Sequence, residues 1–481
     1  MTILMLESIE KILNHFKSCF SRQSSFKWFV VIIIGLMTRS DKLGITSIIR
    51  GLALDPNLYE TMNHFFRASS WNLPDIREKW MQSIHSHAPL WKEGDYTILI
   101  GDGVKQAKEA KRMPGVKKQF QESENSSKPE YIFGHLFGGI GVLAGNVAKS
   151  YCIPLIINLQ DGIHTIQNWR KETPSSLSHV VQMIEKGYEA AQIFGKSLLL
   201  LDRYFLSVPA LECLKRCHAT GKVPMEIVTK AKKSCVAYEH PPRKKPGRGR
   251  PPKKGRSIKL KELFSSESSS FMETTAVLYG KKENIRYYCI DLLWGAKLYQ
   301  ELRFVLVEYN GVQSILVSTD LGLDPVSIIR LYSYRFRIEC TFRELKQVIG
   351  GFCYHFWSKS MPKLKRYLKK GEIAPINQVT DNKDQEKIML TVKAIEGYVQ
   401  FSCIAMGITQ LLSLNFSKEM QTGKCRYLRT PSKTVVSEAT VVSYLRQNIF
   451  RIMAKKPELN ITRFIQEKQE SLDSTEDSQA S

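Results

Sequence analysis

The stretch "YTILIGDG", Tyr96–Gly103, is where the periodicity of the chain changes. A short apolar run closing on Asp-Gly reads as a buried strand followed by a turn. Two further strand-like runs follow a basic loop: "YIFGHLFGGIGVLAG" (131–145) and "SYCIPLIINLQDG" (150–162). The segment "SSLSHVVQMIEKGYEAAQIFG" (175–195) then reads as a helix, with Ser/Thr residues to cap its start and Gly195 to end it. "KSLLLLDRYF" (196–205) is a fourth strand, fully apolar and ending in Asp202. The order strand, strand, strand, helix, strand predicts an α/β fold. Its acids, Asp102 and Asp202, fall at strand ends, where open sheets place their chemistry.

Upstream, residues 1–94 read as a helical N-terminal domain. Its most apolar run, "WFVVIIIGLM" (Trp28–Met37), has ten residues, about half of what a membrane span needs, and reads as a buried helix. "SDKLGITSIIRGLALDPNLYETMNHFFRASSW" (40–71) reads as two short helices joined at "LDPNLY". A DNA-docking helix-turn-helix and a plain helical packing unit both fit that pattern. Residues 95–205 form the first part of the α/β domain. Residues 206–325 interrupt it, first with a basic, loop-like part and then with strand-rich text ("TTAVLYG", "IRYYCIDLLW", "LRFVLVEY", "QSILVSTDL"). Residues 326–415 resume the domain and end in a mostly apolar helix from about 387. Residues 416–481 form a C-terminal region whose last sixteen residues are polar, acidic and too poor in apolar side chains to pack.

The chain has 481 residues, 70 Lys+Arg against 46 Asp+Glu, and a net charge of +24. Such an excess points to a polyanionic partner, nucleic acid before membrane. At the centre of the interruption, "PPRKKPGRGRPPKKGR" (241–256) carries eight basic residues, five prolines and three glycines and no acid. It cannot form a core element. A solvated linker is the plain reading. "KPGRGRP" resembles the AT-hook, in which Arg248 and Arg250 would lie in a narrow A·T minor groove. Ten cysteines are scattered without a Cys-x-x-Cys. Cys213 and Cys217, with His218, have no second half of a zinc site in the sequence and read as helix packing. This usage suits a reducing cytoplasm.

The second decisive stretch is "YSYRFRIECTFRELKQ", Tyr332–Gln347. Wound as one helix at about 100° per residue, it sets Arg335, Glu339 and Lys346 within about 60° of Tyr332. Ile338, Phe342, Leu345 and Ile349 form the adjacent apolar stripe, and Glu344 points elsewhere. A polar row bordering a buried one can be held by packing yet reach a substrate. An ordinary half-exposed helix with an Arg335–Glu339 ion pair has the same pattern.

The spacing Tyr-(2)-Arg-(3)-Glu-(6)-Lys, filled by Tyr332, Arg335, Glu339 and Lys346, resembles the signature of a group of DDE-type transposases of bacterial insertion sequences. The phrases "LVSTDLGLDPVSIIRLYSYRFRIECTFRELKQ" and "GFCYHFWSKSMPKLKR" add to the likeness, which covers roughly residues 30–415. The resemblance implies a ribonuclease H-like catalytic core interrupted by a strand-rich insertion. It implies Asp102, Asp202 and Glu339 as catalytic carboxylates holding two Mg²⁺ ions, with Mn²⁺ able to substitute. Three hard carboxylates suit Mg²⁺, and a metal pair can activate the nucleophile and relieve charge on the leaving oxygen. Tyr332, Arg335 and Lys346 would hold DNA phosphates beside them. Lys105, with Lys108, Lys111 and Arg112, would track the backbone.

Some similar transposases stack a flipped base on a tryptophan of the insertion, and Trp294 is the tryptophan that this insertion offers. Core packing is its plainer reading. Asp320 is the rival carboxylate, read as a cap for the helix that follows. The implied activity is metal-dependent cleavage and strand transfer at the terminal inverted repeats of an insertion sequence. Double-stranded DNA, both element ends and target, would be the partner, and a dimer or larger assembly would act on two ends, in the bacterial cytoplasm at the nucleoid and not at a membrane. A metal-dependent nuclease without strand transfer and a non-catalytic DNA-binding descendant of a transposase are the alternatives.

Overall fold

Five helices precede the first strand: α1 (Thr2–Asn14), α2 (Gln23–Thr38), α3 (Thr46–Gly51), α4 (Tyr59–Phe65) and α5 (Leu73–His87). The structure, a computed structural model, describes residues 2–121, 129–146, 149–170, 178–242, 252–369, 371–420 and 435–469. Arg248, Arg250 and most of the AT-hook-like segment lie outside the described residues, as does the tail beyond residue 469.

After the first helices come β1 (Lys92–Glu93), β2 (Tyr96–Ala107), β3 (Lys117–Phe120), β4 (Tyr131–Gly145), β5 (Ser150–Leu159), α6 (His164–Asn168), α7 (His179–Phe194), β6 (Ser197–Leu200), α8 (Val208–Thr220) and β7 (Met225–Lys230). The interrupting segment continues with β8 (Val236–Tyr238), β9 (Ser257–Lys259), α9 (Leu263–Ser266), β10 (Met272–Leu278), β11 (Lys281–Trp294), β12 (Gln300–Tyr309) and β13 (Val312–Ser318). The chain ends with α10 (Pro325–Tyr332), α11 (Arg337–Glu344), α12 (Asn382–Asn415), α13 (Ser417–Met420), α14 (Glu438–Lys455) and α15 (Asn460–Gln466).

The result is a mixed α/β fold around one large mixed sheet. Among the described residues thirteen strands join it, in the order β3-β4-β2-β6-β7-β13-β12-β11-β8-β9, with β1 on β2, β5 on β4 and β10 on β11. β2 is antiparallel to β4 and parallel to β6, and β6 is parallel to β7. The central strands read as apolar runs because helices cover both sheet faces. Gly101 and Gly103 face α7: a Cβ at Gly101 would stand 3.0 Å from Met183 Sδ, and one at Gly103 3.3 Å from the His179 ring. Gly139 pairs with Asp102 and so shares its face, which is the opposite one. It lies under Phe342 of α11.

Local signals explain the elements. Ser178 caps α7 and accepts a hydrogen bond from Val181 N at 3.3 Å. Val180, Met183, Ile184, Gly187, Ala191 and Phe194 form its buried stripe, and Gly195 leaves it at φ 81°. The apolar run of α2 is buried on all sides, against α12, α14 and α15. Each such aliphatic side chain contributes on the order of 1.5–3 kcal/mol when fully buried. Among the described residues α12 is long and apolar enough to cross a membrane, yet 72% of its most apolar window is buried within the fold. Phe401 on α12 packs against Phe29, Phe65, Phe66 and Trp71, so the helices of residues 1–94 close their core on the C-terminal helices.

Three expectations change. Asp102–Gly103 is not a turn, because β2 runs through it to Ala107 on its pairing with β4. The start of the interruption is not loop-like: Ser207 caps α8, Pro209 opens it, and β7 then extends the parallel part of the sheet. The stretch from Tyr332 is not one helix. α10 ends at Tyr332, and a tight turn follows on bonds from Tyr334 N to Leu331 O (2.9 Å) and Arg335 N to Tyr332 O (3.1 Å). α11 then widens into a π-helical turn, Leu345–Ile349, which Gly350 ends in the left-handed region at φ 72°. π turns of this kind are found mostly as single insertions at functional sites.

Candidate functional site

The last parallel pair between β2 and β6 is Ile100 with Leu200. Asp102 and Asp202 each lie two residues beyond that pair, on adjacent strands. There the strands part. β2 continues along β4, while β6 ends and Asp202 opens a single turn of tight helix, Arg203–Phe205. Thr229 Oγ1 donates to Asp202 O at 2.9 Å and ties that turn to β7. The two carboxylates thus stand at the carboxyl ends of parallel strands.

α11 brings the third group. Its apolar stripe, Ile338, Phe342, Leu345 and Ile349, is buried against the sheet and α12, which leaves Arg335 and Glu339 facing Asp102. Arg335 Nη1 donates to Asp102 Oδ2 at 3.2 Å, and Arg335 Nη2 donates to Glu339 Oε1. Side-chain exposure is 21% for Asp102, 16% for Arg335 and 54% for Glu339, so the first two are largely covered and Glu339 faces solvent. Lys346, on the π turn, donates to Lys105 O at 3.1 Å and so joins α11 to β2.

Burial raises the Asp102 carboxyl to about 6. Arg335 and the Gly103 N–H, which donates at 2.7 Å, pull it down, and the fields of Glu339 and Asp202 push it up. Burial also lifts the Tyr332 hydroxyl above the ordinary tyrosine range, with Arg335 opposing. For Arg335 burial works against the charge, but Asp102 and Glu339 outweigh it and hold the guanidinium protonated. Burial lowers Lys230 on β7, while Asp202 acts in the opposite sense. Tyr332, Arg335, Glu339, Asp102 and Asp202 therefore lie within one another's electrostatic reach.

Other residues fall elsewhere. Trp294 ends β11 and packs on the small apolar core of the interrupting segment, beside Cys235, with Leu211, Leu260 and Phe304 in the same cluster. The aromatic that this segment does bring to the site is Tyr279, at the tip of the β10–β11 hairpin, 5.5 Å from the Phe336 ring. Its "YG" turn has φ 53° at Tyr279 and 84° at Gly280, a pair of positive angles that marks a two-residue hairpin and could have been read from sequence. Asp320 caps no helix. It accepts from Tyr96 Oη and Gly322 N, both at 2.8 Å, and Asp324 is the cap of α10. Lys105 donates to Phe120 O at 2.6 Å. Lys108 is a strut rather than a loop cation, donating to Phe352 O (2.6 Å) and Tyr354 O (3.0 Å). Arg112 is similarly engaged with Lys359 O and Met361 O, both at 2.7 Å, while Lys111 is exposed.

Three carboxylates are the right donors for a hard cation such as Mg²⁺. Among the described residues, however, no three His, Cys, Asp or Glu side chains are gathered closely enough to hold one. The Arg335 guanidinium stands between Asp102 and Glu339, supplying the positive charge that a metal would supply. No protein-family model, curated protein or solved structure matches the chain.

Proposed function

We propose that the chain is a DDE-type DNA transposase that cleaves and joins DNA at the terminal inverted repeats of its element. The observation that carries this reading is the meeting of Tyr332, Arg335 and Glu339 with the strand-end pair Asp102 and Asp202, with Lys346 tied to the same strand at Lys105 O. The succession β2, β4, β5, α7 and β6, with Asp102 on β2 and Asp202 just past β6, supports a ribonuclease H-like core. The net charge of +24 supports a polyanionic substrate.

Asp102, Asp202 and Glu339 would hold Mg²⁺ when it is bound. The metal would polarise the scissile phosphate and lower the pKa of its attacking water. Arg335 has a planar fork that suits a phosphate as well as a carboxylate, so DNA offers it a second acceptor. A phosphate that draws Arg335 away uncovers the two carboxylates, which couples the readiness of the site to substrate. Tyr332 stays protonated and can donate to a phosphate oxygen. Lys346 fixes the distance between α11 and β2 and adds charge.

The test uses DNA flanking the gene, where the element ends should lie. Purified protein is incubated with a labelled fragment spanning one end, with Mg²⁺ or Mn²⁺, beside Asp102→Ala, Asp202→Ala and Glu339→Gln. A cut at the element boundary, lost in all three variants while DNA binding persists, is the expected result. Cutting without end joining would favour a nuclease. Binding without cutting in wild type would favour a non-catalytic descendant.

A further inference from the structure

Beyond the carboxylates, α11 and the segment that follows it run along β4 and place an aromatic or a cation on each successive residue of the same sheet face. Phe342 lies on Gly139, Phe352 on Phe137 at 5.3 Å and Tyr354 on His135 at 5.8 Å; then Arg366 and Tyr367 lie on Phe133 at 4.9 and 6.2 Å. Asp102, paired with Gly139, is on this face. The row continues two residues further, to Tyr131, which Lys118 overlies but leaves largely open to solvent. Tyr131 pairs with Phe120 of β3, and Phe133 pairs with Lys118, so Phe120, Lys118, Tyr131 and Phe133 share the face.

This end is an open aromatic cluster laced with cations. Phe120 is 47% exposed, Tyr131 45% and Tyr367 74%. Lys118 Nζ stands 4.1 Å from the Tyr131 ring centre and 6.0 Å from that of Tyr367, between the two. Arg366, 4.9 Å from the Phe133 ring, adds a second cation beside Tyr367. Large exposed rings carry a hydration cost that a fold removes unless a partner covers them. Rings with flexible ammonium groups between them suit stacked bases whose phosphates need neutralising, and every base has a face to offer. Paired bases in a duplex hide those faces.

We infer that this platform binds unpaired nucleotides of the DNA strand that is engaged at the carboxylates. Phe133 and Tyr131 lie six and eight residues along β4 from Gly139, the partner of Asp102, about 20 and 27 Å, so the platform takes nucleotides several positions from the cut. The inference rests on the DNA-cleaving reading above and adds to it the opening of the duplex beside the cut.

The experiment measures fluorescence anisotropy of the full chain with two labelled probes, a short oligo(dT) strand and a blunt duplex of the same length. The variants are the double substitution Tyr131→Ala with Tyr367→Ala and the conservative pair Tyr131→Phe with Tyr367→Phe. The expected result is at least about a tenfold loss on oligo(dT) for the alanine pair, with duplex affinity within about twofold of wild type and the phenylalanine pair unchanged. Unchanged oligo(dT) affinity in the alanine pair, with duplex binding intact, overturns the platform and leaves the DNA-cleaving reading standing. Equal loss on both probes overturns base stacking. Wild type that binds neither probe overturns both readings. Unchanged thermal melting of the alanine pair, expected for exposed rings, excludes misfolding as the cause of a loss.

Discussion

Arg335 lies with one terminal nitrogen 3.2 Å from Asp102 Oδ2 and its other on Glu339. A single guanidinium therefore neutralises two of the three carboxylates to which the chemistry is assigned. Buried or half-buried acids side by side repel, and without a cation between them they would hold α11 off the sheet. The arrangement is self-consistent without a metal, and it makes Arg335 a competitor for one.

From that competition follows the first prediction. Arg335→Gln should bind Mn²⁺ about tenfold more tightly than wild type in the absence of DNA, since a charge a few ångströms from the ligands is removed. Titration of the full chain followed by electron paramagnetic resonance reads this directly. Equal or weaker affinity in the variant would mean that the guanidinium does not compete.

The second concerns pH. Burial holds the Asp102 carboxyl at about 6 against an ordinary 3.8. The folded protein keeps this proton after the unfolded chain has lost it, so stability falls as pH rises from about 4 to about 6 and stays lower above that. Asp102→Asn should therefore melt higher than wild type near pH 7, by about 2 kcal/mol, and lose that advantage below about pH 4. The same variant should not cut DNA. A variant less stable than wild type near pH 7 would contradict the assignment of burial as the dominant cause.

Third, the distance between α11 and the sheet depends on a missing side chain. A Cβ at Gly139 would stand 2.8 Å from Phe342 Cζ, and Phe342 is itself buried. Gly139→Ala should cost about 1–3 kcal/mol in chemical denaturation and should weaken the Asp102–Arg335 contact, seen as a change in the titration of Asp102. An alanine accepted without loss would show that α11 has room to shift.

Fourth, Lys346 and Lys108 should separate in salt dependence. Burial lowers Lys108 to about 8, and its ammonium is engaged by two carbonyls, so Lys108→Met should leave the salt slope of DNA binding unchanged. Lys346→Met should reduce the slope by about one if Lys346 meets a phosphate. The reverse result would exchange their roles.

Much of the α/β order was legible because it is written in local pattern. Capping serine, apolar stripe and closing glycine marked α7, and the continuous apolar text of β5 and β6 marked strands covered on both faces. What escaped depends on partners distant in sequence. Asp102–Gly103 looks like a turn until β4 pairs with it. α8 looked loop-like because Lys215, Arg216 and His218 dilute its apolar stripe, although Ser207 and Pro209 announced its start. The helical wheel put Tyr332, Arg335, Glu339 and Lys346 in one row, whereas the chain passes from Tyr332 to Lys346 through a tight turn and a π turn that the wheel does not contain. Asp320 looked like a cap because it precedes a helix, yet Tyr96, far away in sequence, takes its carboxylate. The open rings of Phe120, Tyr131 and Tyr367 had only the period-two aromatics of 131–137 as a signal, and that signal does not say which ring is left bare.

The wrapping of α2 by α12, α14 and α15 has a consequence for how the protein is made. Ribosomes deliver "WFVVIIIGLM" (Trp28–Met37) long before α12, α14 and α15, the first of which starts at Asn382. Until residues near 465 emerge, the surfaces of α2 that meet α12, α14 and α15 lack their native partners. The order of translation thus separates the synthesis of α2 from its burial, an interval in which exposed apolar surface favours aggregation.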